Sequence, residues 1–81
     1  MRLDKYLKVS RIIKRRTIAK EACDKGIISV NGKIARASLE IKIGDIIAVG
    51  TGDRVFTAEV LSLDENAKKA EALSMYREIA P

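Results

Sequence analysis

The spacing of apolar positions changes along this chain from helical to alternating. Leu3, Tyr6, Leu7, Ser10 and Ile13 recur at helical intervals and define one inward stripe. They predict a first helix over Leu3–Val9, with an extension to Ile13 allowed by the pattern. Asp4 falls in its first turn, where the helix dipole favours a carboxylate. Ile18, Ala19, Ala22 and Cys23 form a second stripe and predict a second helix over residues 15–25, with Lys14 as the joint. Gly26 is a natural stop, because glycine enters the left-handed region without strain. Two helices this close in sequence are expected to pack as an αα-hairpin or a helix–turn–helix-like pair.

Beyond Gly26 the pattern becomes that of strands. Residues 27–30 are rich in β-formers, and Asn31–Gly32 is a strong short signal for a type I′ hairpin. Residues 33–35 would return as a short strand, and residues 36–38 read as irregular. Leu39, Ile41 and Ile43 alternate with Glu40 and Lys42, which predicts a half-buried extended segment. Gly44 and Asp45 make a turn, residues 46–49 a buried strand, GTGD at 50–53 a hairpin loop, and residues 54–63 a longer strand. Asp64 or Asn66 could cap a third helix over residues 67–76, with Ala70, Leu73 and Tyr76 or Arg77 facing inward. The expected class is α+β: two N-terminal helices packed on a small, mostly antiparallel sheet, plus a C-terminal helix.

Composition narrows the function. Eighty-one residues suit a single domain, which buries only about 60% of its unfolded surface. A hydrophobic share of 47% beside 33% charged residues is that of a globular chain. The single cysteine permits no internal disulfide, and there is no signal-like or long apolar run, so a cytoplasmic setting without membrane contact is expected. Without histidine, His-ligated zinc sites and histidine-based catalysis are excluded. No catalytic carboxylate pair and no phosphate-binding Gly-rich loop before a helix are present, so the reading is non-enzymatic and without a cofactor or metal.

The net charge of +5 is unevenly placed. Residues 1–36 carry eleven Lys/Arg against three Asp/Glu, a balance of +8, whereas residues 37–81 carry five against eight, a balance of −3. So basic an N-terminal half favours a polyanionic partner over a merely solubilising surface. Lys14, Arg15 and Arg16 stand at the N-terminus of the second helix. There they oppose the dipole by about 0.3–1 kcal/mol each but suit anion capture. Lys20 lies one turn beyond Arg16 on the same face. Lys5, Lys8, Arg11 and Lys14 supply a general positive field, and Lys33 beside the hairpin turn is within reach of a phosphate. Tyr6 could stack on a base, but its spacing with Leu3 assigns it to the core, and Cys23 reads as a small core residue.

RLDKYL at 2–7, RRTIAKEACDKGIISVNGK at 15–33 and IKIGDIIAV at 41–49 occur in the order and spacing of a known module. Over about residues 2–50 the chain resembles the S4 RNA-binding domain, with residues 51–81 as a C-terminal strand and helix extension. The S4 pattern usually opens its second helix with Ser-Arg. Arg15–Arg16 here removes a capping serine and adds a cation. LDKYLKVSRIIKRRTIAKE and the tail KKAEALSMYREI further resemble small stand-alone S4 proteins of bacterial ribosome rescue. These include the heat-shock group of about fifteen kilodaltons and, more closely, the RqcP-like (YabO-like) group of ribosome-associated quality control.

That resemblance implies a monomer on the 50S subunit, contacting rRNA and peptidyl-tRNA. It also implies support for C-terminal alanine tailing beside a NEMF/RqcH-type partner, with Arg2 and Arg16 as RNA contacts. Three other readings are weighed against it. A heat-shock-type factor would recycle free 50S subunits that carry nascent chain–tRNA. A DNA-binding helix–turn–helix regulator would need base-reading side chains, and the second helix offers no Asn or Gln. An RNA-modifying enzyme would need a catalytic domain, and the chain has no room for one.

Overall fold

The computed structural model describes residues 1–79. In chain order the elements are α1 (Leu3–Val9), α2 (Arg16–Asp24), β1 (Ile28–Val30), β2 (Lys33–Ile34), β3 (Ile46–Thr51), β4 (Arg54–Val60), α3 (Lys69–Ala72) and β5 (Tyr76–Glu78). The strands form one sheet in the order β2-β1-β3-β4-β5, every neighbouring pair antiparallel. The expected α+β class is therefore the class observed.

The helical stripes become the core. Leu3, Tyr6, Leu7 and Ser10 of the α1 face are fully buried, and Ala19, Ala22 and Cys23 of α2 join them against Ile28, Ile47 and Val60 of the sheet. Ile18, placed in the second stripe by its spacing, instead stays largely exposed. Tyr6 is a core residue whose hydroxyl donates 2.7 Å to the Met75 carbonyl, so its polar end is satisfied inside.

The helix ends follow local chemistry. After α2, Gly26 adopts φ 75°; its N–H bonds the Cys23 carbonyl and the Ile27 N–H bonds that of Ala22, the two bonds of a Schellman motif. α1 stops at Val9 and does not reach Ile13, because Arg11 takes the left-handed conformation at φ 63°. At the β1–β2 turn both central residues have positive φ, Asn31 at 53° and Gly32 at 85°, as a type I′ turn requires.

Two expectations are corrected. Residues 39–43, expected as a half-buried extended segment, lie outside the sheet and keep only part of that burial: Ile41 is buried while Leu39 and Ile43 are exposed. This stretch instead serves the opening of α1, whose first N–H groups have no partner within the helix. Leu3 N–H donates to the Leu39 carbonyl (2.8 Å) and Asp4 N–H to that of Ala37 (3.1 Å). Ile41 N–H returns a bond to the Met1 carbonyl (3.1 Å), and Arg2 and Glu40 form a β-bridge.

The third helix, expected over residues 67–76, is a single turn, Lys69–Ala72. Its inner residue is Ala72, with Met75 buried just beyond it, while Leu73 is 74% exposed and Ala70 is also outside. Tyr76 and Arg77 belong to β5, which pairs Val60 with Tyr76 and Glu59 with Arg77. A short isolated helix is marginal, and the open edge of β4 offers N–H and C=O groups that a strand can pair. The Phe56 and Tyr76 rings also meet edge to face at 5.8 Å.

Candidate nucleic-acid interface

Arg2, Asp4 and Arg16 meet where α1 and α2 begin, although twelve positions separate Asp4 from Arg16. Asp4 lies in the first turn of α1, its side chain only 4% exposed. Arg2, at the N-cap of α1, sets Nε 3.3 Å from one carboxylate oxygen and Nη2 3.4 Å from the other. Arg16, the first residue of α2, approaches the same two oxygens at 3.3 and 3.4 Å. The Lys5 N–H completes the arrangement at 2.8 Å. The two arginine side chains stay 45% and 47% exposed, so each keeps donors turned to solvent.

Burial pushes the Asp4 carboxyl up. The Arg16 hydrogen bond, the Lys5 N–H and the charges of Arg16 and Arg2 outweigh it, and the group stays below the ordinary carboxylate range. A single buried anion thus holds two guanidinium groups, each with donors left over for a phosphate oxygen. Arg15 is the N-cap of α2 and no side chain caps that helix, in keeping with the absence of a serine there.

The other basic residues are distributed differently. Lys20 on α2 lines an open groove of about 490 Å³ with Arg2 and Arg36, over a floor of Ala35, Ala37 and Cys23. Lys5 is drawn aside to Glu65 at 2.9 Å. Lys8, Arg11, Lys14, Arg15, Lys20 and Lys33 are exposed and make no ion pair among the described residues. Arg11 borders a separate, apolar groove with Ile12, Ile18 and Phe56, and Lys33 lies at the edge strand β2. The site therefore gathers Arg2, Arg16 and Lys20 and leaves the rest as surrounding charge. Arg36 was missed: its stretch reads as irregular, and the only available signal is that it closes the basic N-terminal run. Asp4 was legible only as a partner of the helix dipole.

Cys23 lies beneath this groove and is buried; burial first, then the charges of Asp4 and Asp24, push its thiol up. It is a packing residue and a poor nucleophile. Cys23→Ala should leave RNA binding unchanged and lower stability by about 1 kcal/mol. Paired melting and binding curves check this, and lost binding at an unchanged melting temperature would make the thiol functional.

A small α+β domain whose two leading helices present paired arginines, held by a buried carboxylate within a basic half, is a nucleic-acid-binding module. The chain belongs to the S4-domain family, whose profile matches residues 1–47. It is 54% identical over 76 residues to the RQC P-site tRNA stabilizing factor of Bacillus subtilis, covering 94% of this chain and 88% of that protein. The protein of the same name from Streptococcus pneumoniae is 50% identical over 80 residues, 99% of this chain and 91% of that one. Among solved structures, the trimeric heat shock protein 15 of Vibrio cholerae superposes with a TM-score of 0.88 at 31% identity, covering 99% of this chain and 82% of that chain. Among the described residues no cluster of three or more potential metal ligands occurs, and no helix is long and apolar enough to cross a membrane.

Proposed function

We propose that this protein binds the 50S ribosomal subunit in the cytoplasm as a monomer and holds rRNA and peptidyl-tRNA on stalled, obstructed subunits. It catalyses no reaction. Its part is to keep the tRNA in place while a tRNA-recruiting factor of the NEMF/RqcH type adds C-terminal alanines to the nascent chain.

The observation that carries this reading is the Arg2–Asp4–Arg16 cluster, two half-exposed guanidinium groups oriented by one buried carboxylate. Phosphate contacts come mainly from such side chains. S4-family membership and the naming of relatives for P-site tRNA support RNA over DNA and the ribosome over free RNA. The test is purification of the tagged protein under mild salt, with sequencing of bound RNA and mass spectrometry of bound proteins. The expected result is 50S particles that carry tRNA, with a tailing factor, and loss of alanine tails from a stalled reporter in a deletion strain. Recovery without 50S particles would overturn the reading.

The likeness to heat shock protein 15 favours one second reading, recycling of free 50S subunits that retain nascent chain–tRNA. In that case the deletion strain would keep its alanine tails and accumulate 50S–tRNA particles.

A further inference from the structure

We propose that the groove between β2 and residues 38–42 is a second RNA-backbone site, joined to the Arg2–Arg16 cluster through Arg36. The proposal rests on the RNA-binding reading above and extends it to residues outside the two helices.

The groove encloses about 670 Å³ and is lined by Lys33, Arg36 and Lys42. All three are exposed, and none has an acidic partner among the described residues. Two carboxylates line it too, and both are committed within the fold. Glu40 takes the N-terminal ammonium at 2.9 Å. Asp45 accepts the Asn31 side-chain amide at 3.1 Å and the Lys42 N–H at 2.8 Å. Three cations against two carboxylates, one of which is already paired with the N-terminal ammonium, leave the groove positive. Its walls include Ile34, 73% exposed, and Leu39, 40% exposed. Charge for phosphates beside apolar wall for sugar faces is the make-up of a groove that tracks a nucleic-acid backbone.

Arg36 decides the connection. It lines this groove and also the neighbouring one, where Arg2 and Lys20 stand with Asp24 as the single carboxylate. Arg36 therefore links the groove of Arg2 and Lys20 to the groove of Lys33 and Lys42. An RNA strand gripped by Arg2 and Arg16 can continue over Arg36 to Lys33 and Lys42. A lysine at a two-residue edge strand also guards against strand addition, but that role requires neither Arg36 nor Lys42.

The test compares the triple variant Lys33→Ala, Arg36→Ala, Lys42→Ala with Arg16→Ala and the parent. Binding to purified 50S subunits that carry peptidyl-tRNA is measured across a salt series, with hydroxyl-radical footprints of the rRNA and tRNA and a thermal melt of each protein. The triple variant should melt close to the parent and lower the slope of log affinity against log salt by about 2, near 0.7–0.9 per lost phosphate contact. It should also lose a set of protected nucleotides different from the set lost with Arg16→Ala. If the triple variant keeps the parent slope and footprint while Arg16→Ala loses binding, the second site is absent and the proposed function stands. If all three proteins bind alike, neither this groove nor Arg16 carries the contact and the proposal falls, while the RNA contact lies on another surface.

Discussion

Arg16→Ala is expected to weaken association with 50S–tRNA particles by roughly 10- to 100-fold, the equivalent of about 1.5–3 kcal/mol for a charge-assisted hydrogen bond. The loss should be broad across RNA sequences and lower the salt slope by about one phosphate contact. The fold should survive, because Arg2 still occupies both Asp4 oxygens when Arg16 is gone. Arg16→Lys should recover only part of the affinity, since lysine keeps the charge but loses the planar fork that spans Asp4 and a phosphate together. Arg2→Ala should behave in the same way, with Arg16 as the remaining partner. The double variant should abolish stable association, but it also leaves Asp4 buried without a cation, which is costly in itself. Co-sedimentation at several salt concentrations, beside thermal melts, separates the two effects. If both single variants bind as the parent does at moderate salt, the arginines form a solvated face and the contact surface lies elsewhere.

Asp4→Asn tests the cluster from its centre. Removing the anion costs about 1–3 kcal/mol, the range for an unmet buried partner, and in a domain of this size each kcal/mol moves the melting temperature by about 4–8 °C. The pH dependence follows from the depressed carboxyl. Because Asp4 ionises more readily in the folded than in the unfolded chain, its stabilisation is complete above the ordinary carboxylate value of 3.8 and fades as pH falls below that through the folded value. The parent should therefore lose stability below about pH 4 more steeply than Asp4→Asn. Binding gives the sharper reading. The substitution raises net charge by one, so electrostatic attraction alone would tighten the complex. We expect it to weaken, because the two guanidinium groups lose their shared anchor. Tighter binding by Asp4→Asn would show that the arginines act only through charge.

Much of the fold is legible in local chemistry. The α1 and α2 stripes come from side-chain spacing alone, which is why Leu3, Tyr6, Leu7, Ala19, Ala22 and Cys23 are all buried. Gly26 and the Asn31–Gly32 pair are equally local, since positive φ is a property of the residue type and its immediate hydrogen bonds. The failures share one cause. Leu39, Ile41 and Ile43 alternate like a strand, yet the backbone there satisfies the start of α1, a partner more than thirty positions away. Residues 69–78 carry enough helix formers for a longer helix, yet Tyr76–Glu78 meets the open edge of β4, and no propensity within the segment records that edge.

The sequence by itself determined the element order as far as β4, the inward faces of the two leading helices, the concentration of positive charge in the first 36 residues, and Arg2 and Arg16 as prominent cations. Only the tertiary structure decided that these two arginines share one carboxylate, that Lys5 is diverted to Glu65, and that Arg36 joins two grooves. The reason is physical. Periodicity and turn chemistry act over a few residues and fix which face points inward. Which charges meet depends on how α1 and α2 pack and on where residues 37–41 cross the start of α1, and those placements are set by core burial and by the pairing of distant backbone groups.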